Sequence, residues 1–347
     1  MLFFLPLQNL MFVRINGQAC IRTPGAIIKK ERHTMNNRPI QTKQEPAMGY
    51  ESFKRALQDK IQDCVARPVN FMETESVRIN ETSEGLILKL DGGNTAPLIY
   101  PEKLYEDYLS GMPLSMIAAD AADIARKTCE YPEIPELTPE NAQKSIRLAL
   151  INKEQNRKLL EMCPYKDVLD LAAVPRWYLD SGSFLVSNDL LQILGLTGED
   201  VLSIAERNTE SEHYICRNII SVICEAGLAE GTDAGLLDGI DPVSKSPLYV
   251  LTNRTGIDGS RAVLSDRFLQ EVAHQLGTDD LCLLPSSRNE MLAADIAAVG
   301  DIAEVKNVVM QVNRDPRAIR QNNILSDSVY FYNAKTHLLS VYRPTPV

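Results

Sequence analysis

Residues 248–290 read LYVLTNRTGIDGSRAVLSDRFLQEVAHQLGTDDLCLLPSSRNE. An apolar strand, Leu248–Asn253, leads into a Gly-rich turn, then a helix over Asp266–Leu276 and a second strand over Leu281–Leu284. That strand ends in Ser286-Ser287-Arg288-Asn289-Glu290. Two hydroxyls, a guanidinium and a carboxylate at a strand end suit a binding or catalytic site, and equally an ordinary connecting loop. The candidate ligand- or partner-binding residues are Thr252, Asn253, Arg261, Ser286, Ser287, Arg288 and Glu290.

Downstream, Met291–Ile296 reads as a further strand, Ile302–Val312 as a helix, and Val329–Tyr332 with Leu338–Tyr342 as strands around a turn at Asn333. Upstream, a helix over Ser211–Gly227 carries Ile215, Ile219, Val222 and Ile223, and a Gly/Asp-rich loop spans 228–246. Thr197 with Asp200 forms a capping-box pattern for GEDVLSIAERN, and Ser187 or Asn188 caps DLLQILG. Val168–Asp180 reads as a strand broken at Pro175, Ser145–Asn152 as a strand, and KEQNRKLLEM as a helix between them.

Three prolines in Tyr131–Pro139 mark a stiff connector. Before it lie a helix after Gly49 with Phe53, Leu57, Ile61, Cys64 and Val65 on one face, strands over Val69–Asn80 and Gly85–Asp91, and helices from Pro101 and Pro113. The expected fold is α+β, with mixed, largely antiparallel sheets, packed helices and two subdomains, 49–131 and 140–347. Residues 1–48 are read as a disordered leader or the product of a misassigned start. The run MLFFLPLQNLMFV is too short to span a bilayer and has no positive charge before it.

The 347-residue chain has a net charge of -10. Residues 1–47 hold seven Lys/Arg against two Glu, a net +5 that leaves -15 on the remainder. So acidic a body is a poor match for nucleic acid or an anionic membrane. Seven scattered cysteines with no C-x-x-C pair fit a reduced, cytoplasmic chain.

No G-x-x-x-x-G-K-[ST] and no G-x-G-x-x-G is present. Asp91-Gly92-Gly93-Asn94 reads as a hairpin turn. Gly256–Arg261, which precedes a helix, reads first as a turn and second as an anion cradle. Four dispersed histidines offer no metal motif; His213, Cys216 and Cys224 fall on one expected helix, where packing is the simpler role. No metal and no cofactor are expected. Ser286 or Ser287 with His274 and Asp279 or Glu290 supplies the residue types of a hydrolase, but no G-x-S-x-G elbow frames either serine. Glu304-Val305-Lys306 falls in a helix, and Trp177 after Arg176 reads as a sheet aromatic rather than a stacking platform.

The segments YESFKRALQDKI, LALINKEQNRKLLEMCPYKDVLDLA, YVLTNRTGIDGSRAVL, LCLLPSSRNEML and ILSDSVYFYN carry a family resemblance. From about Gly49 to the C-terminus the chain resembles an uncharacterised domain-of-unknown-function family of anaerobic gut bacteria. The resemblance implies no activity, since none is assigned to that family. Its members often place a His directly before the Glu that follows the Ser-Ser turn. Asn289 stands there, and an amide is no general base near neutral pH. The sequence therefore leans toward a non-enzymatic binding or regulatory protein, its partner another protein or a small anionic ligand. The alternative is a hydrolase centred on Ser286–Glu290.

Overall fold

The computed structural model describes residues 11–15, 18–22, 48–93, 96–130, 138–179, 182–229, 246–316 and 318–343. Most of the leader, most of the proline connector and most of the Gly/Asp-rich loop lie outside them. The α+β expectation holds: helices pack on antiparallel sheets, in two units.

In the leader, β1 (Met11–Ile15) and β2 (Gln18–Arg22) pair as an antiparallel ribbon. The smaller unit then begins with α1 (Tyr50–Cys64), whose Phe53, Leu57 and Ile61 are fully buried, as its spacing requires. Strands β3 (Val69–Arg78), β4 (Glu81–Leu90) and β5 (Leu98–Ile99) form a sheet in that order. Helix α2 (Pro101–Leu109) starts on its proline, and α3 (Leu114–Glu130) presents Ile117, Ala118, Ala121, Ala122 and Ala125 to the same core. Small residues at three- and four-residue spacing let α3 approach α1 closely. Lys54, nearly buried, bonds Glu84 Oε1 at 2.5 Å, and the Tyr50 hydroxyl donates to the other oxygen at 2.8 Å.

The larger unit opens with α4 (Pro139–Ser145), β6 (Ile146–Asn152), α5 (Arg157–Leu160), β7 (Lys166–Val168), β8 (Leu171–Leu179) and β9 (Gly182–Leu185). The expected helix over KEQNRKLLEM is only a 3₁₀ turn, Glu154–Asn156, and the single turn of α5. The four strands form one antiparallel sheet in the order β6-β8-β7, with β9 also on β8. Contrary to expectation, β8 runs unbroken through Pro175. Leu148, opposite it, turns its N–H outward to Thr209 Oγ1 at 2.9 Å, so the pair needs no donor from the proline. The missing N–H falls on the other side, between the end of β7 pairing at Ala173 and the start of β9 pairing at Arg176.

Helices α6 (Asn188–Leu194) and α7 (Gly198–Glu210) follow, capped by Ser187 and by the Thr197–Asp200 capping box. Next, β10 (Tyr214–Asn218) and α8 (Ile219–Ala229) replace the single helix expected over Ser211–Gly227. Pairing with β11 (Tyr249–Asn253) along its whole length holds β10 extended, and no Gly or Pro marks the change of period at Ile219. A 3₁₀ helix, Gly259–Leu264, precedes α9 (Asp266–Leu276). Strand β12 (Asp280–Ser287) continues past the expected Leu284, and Arg288-Asn289 turns it into β13 (Glu290–Asp295). The chain then forms α10 (Ile296–Val299), α11 (Ile302–Arg314), β14 (Tyr330–Asn333) and β15 (Leu338–Val341). The second sheet is antiparallel throughout, in the order β10-β11-β13-β12-β14-β15. Cys282, Leu284 and Val329 turn to one side with Ile302, Val305 and Val309 of α11; Leu281, Leu283, Met291 and Ala293 are buried on the other.

Ser265 is fully buried, and its hydroxyl accepts the N–H of Phe268 at 3.2 Å to cap α9. Ser265→Ala is expected to lower the stability of the chain by about 1–2 kcal/mol in urea unfolding.

Candidate functional site

The stretches 252–261 and 286–290 meet directly. Gly256 (φ +64°) and Asp258 (φ +49°) take left-handed backbone to fold the loop back after β11. A Cβ on Gly259 would lie 2.2 Å from Thr252 Oγ1 and 2.4 Å from the Asn289 carbonyl oxygen, so only glycine fits there. The Thr252 hydroxyl donates to Asn289 O (2.7 Å), the Asp258 N–H to Asn289 Oδ1 (3.1 Å) and the Ser260 N–H to Arg288 O (3.2 Å). Asn289 thus serves as a turn amide that clasps the neighbouring loop.

At the centre lies Asp258, 2 % exposed and ion-paired to Arg288, itself 6 % exposed. The other carboxylate oxygen of Asp258 accepts the Tyr178 hydroxyl at 2.8 Å and lies 3.3 Å from Arg176 Nε. Arg176 also donates to the Ser183 carbonyl at 3.0 Å. Arg261 stacks 4.5 Å above the Tyr178 ring, donates to its hydroxyl at 2.6 Å and grips Glu212 through two bonds of 2.6 and 2.8 Å. Asn253 donates to Ile257 O at 3.0 Å, which braces the same loop. Strand alternation explains the convergence: Arg147, Arg176 and Tyr178 share one face of the first sheet.

Burial would raise the Asp258 carboxyl, but Arg288, Arg176 and Arg261 outweigh it and hold it down at about 2. Burial likewise works against the charge on Arg261, and Tyr178, Glu212 and Asp258 overcome it, so its pKa is raised. For Arg176, burial prevails and lowers the pKa despite Asp258.

The serines do other work. The Ser286 hydroxyl donates to Glu290 Oε1 at 3.1 Å, and Ser287 Oγ accepts the Asn289 N–H at 3.1 Å, both bonds closing the hairpin. Burial raises the Glu290 carboxyl against that one hydroxyl bond. His274 is exposed on α9, and Asp279 pairs with Lys335. Cys216 is on β10 and Cys224 on α8, not on one helix face. No group of three or more His, Cys, Asp or Glu able to hold a metal occurs among the described residues. Burial pushes Cys163 up to about 12 and both Cys216 and Cys282 up to about 11, which keeps these thiols protonated at neutral pH. Trp177 is buried and stacks on Phe184, with ring centroids 5.7 Å apart.

Sequence reasoning missed Asp258, Arg176, Tyr178 and Glu212. Arg176 carried a signal, a guanidinium in an otherwise apolar strand, which has to find a partner when buried. Glu212 carried none. Also missed was a groove of about 380 Å³ beside the C-terminal half of α7. Leu148, Val168, Ala173 and Leu264 give it an apolar floor, and Lys166, Glu206, Arg207 and Glu210 surround it with charge. Lys166 and Glu206 pair at 2.7 Å; the side chains of Arg207 and Glu210 have no partner among the described residues.

Fold and site together define a two-unit α+β protein whose central loops are locked by a buried ionic network. The chain belongs to a family of unknown function (DUF5688), whose model matches residues 50–334. No curated protein matches it, and no solved structure does. No helix among the described residues is long and apolar enough to cross a membrane.

Two outcomes are expected. The depressed Asp258 carboxyl stabilises the fold fully above the unfolded value of about 3.9, and that stabilisation is lost as the pH falls toward 2. Asp258→Asn should therefore flatten the acid limb of a urea-unfolding series. At pH 7 it should cost about 3–5 kcal/mol, because Arg288 and Arg176 lose their buried counter-ion. Glu290 behaves oppositely: its raised carboxyl favours the protonated folded state, a contribution that fades as the pH rises above the unfolded value. Glu290→Gln should raise the melting temperature at pH 7, with the gain vanishing near pH 4.

Proposed function

We propose that this chain is a non-enzymatic binding protein of the bacterial cytoplasm, and that its ligand seat is the groove beside α7 rather than the Thr252–Glu290 cluster. The observation that carries this reading is where open space and unengaged charge coincide. In the cluster, Arg261 and Arg288 are buried and bonded to Glu212 and Asp258. In the groove, an apolar floor adjoins two side chains, Arg207 and Glu210, that have no partner among the described residues. Ligand pockets combine these two elements, and roughly 300 Å³ is their usual lower size. Of the seven cysteines, Cys64, Cys129, Cys163, Cys216, Cys224 and Cys282 are free, which supports a reducing compartment.

The test is a thermal-shift screen of small metabolites against the wild type and Val168→Trp, which fills the groove from the short strand β7. At least one chemical class should raise the melting temperature of the wild type and leave the variant unchanged, with circular dichroism showing both folded. Shifts of equal size in the two proteins, or none in the wild type, would overturn the proposal.

A further inference from the structure

We infer that the groove takes a small zwitterion with an aliphatic body, of the class of the free apolar α-amino acids; this rests on the groove being the ligand seat. Three features of the groove select that chemistry. The first is charge balance. Two cations, Lys166 and Arg207, and two anions, Glu206 and Glu210, line the groove, so its charged residues sum to zero and give no net attraction for a polyanion such as a nucleotide or for a polycation. The Lys166–Glu206 pair is already made, which leaves one cation and one anion for a ligand.

The second is spacing. Arg207 and Glu210 stand three residues apart on α7, close enough for their side chains to converge on two adjacent charges. Arg207 offers a planar fork for a carboxylate, and Glu210 offers an acceptor for an ammonium group. The third is the scarcity of neutral polar side chains: among the lining residues only Thr209 carries a hydroxyl, and that residue is buried and accepts the Leu148 N–H at 2.9 Å. Around Leu148, Val168 and Leu264 only apolar substance is favoured.

Isothermal titration with L-leucine, L-leucinamide and N-acetyl-L-leucine tests the inference on the full chain. Leucine should bind, and each blocked analogue should bind at least about tenfold more weakly, the usual scale for one lost charge-assisted contact. In Arg207→Gln the preference for leucine over leucinamide should disappear while that over N-acetyl-leucine survives. Glu210→Gln should show the reverse. Both residues are exposed, so neither change threatens the fold. Glycine, which lacks the aliphatic body, should fail to bind. The inference is overturned if leucine, isoleucine, methionine and phenylalanine all fail to bind, or if the blocked forms bind as well as the free ones. In that event a Val168-sensitive ligand of another class would leave the broader proposal standing, and no ligand at all would remove both.

Discussion

The larger unit depends on one buried carboxylate. Asp258 sits between two sheets and is the shared counter-ion of Arg288 from the second sheet's hairpin and Arg176 from the first. Removing a carboxylate from water is costly, and mutual attraction repays it only where the remaining oxygen and nitrogen atoms are bonded too. Here Tyr178 occupies the second oxygen and itself receives Arg261, which is neutralised by Glu212. The network is a chain of alternating signs, and each link fixes the position of the next. Polar networks of this kind specify one arrangement of the elements that carry them, where an apolar contact would tolerate sliding.

A second tie works by the same logic with less charge. Asp170, at the β7–β8 turn, accepts the hydroxyls of Ser326 (2.6 Å), Ser328 (2.9 Å) and Tyr330 (2.7 Å). It joins the first sheet to the segment that leads into β14. With both ties made, the strands beneath α7 are held at two separate points. A groove with a fixed floor loses little conformational freedom on filling, which favours selectivity for the shape of a small body.

Local pattern carried most of the fold. The bounds of α2 and α9 were readable from Pro101 and from the apolar spacing that ends at Gly277. The Thr197–Asp200 box was readable because both its partners lie within one turn. Two errors have one origin. Pro175 and the Tyr214–Asn218 strand are decided by neighbours distant in sequence, Leu148 with Thr209 in one case and β11 in the other. The candidate residues 252–261 and 286–290 were found together because they flank one helix and one strand. Arg176, Tyr178 and Glu212 join them from 49 to 83 residues away from Arg261 or Asp258, beyond the reach of any periodicity. The groove is likewise a product of packing, and its charged residues look like any solvated helix face.

The separations within the network bear on the order in which this protein takes shape during synthesis. Tyr178 leaves the ribosome 80 residues before Asp258, and Arg288 follows 30 residues after it. Until Asp258 emerges, Arg176 lacks the buried carboxylate that it meets at 3.3 Å in the finished fold, and burying its charge without that carboxylate carries a larger desolvation cost. The first sheet must therefore wait with that face hydrated. Its docking onto the second sheet is a late, long-range event that cannot complete before the β12–β13 hairpin exists.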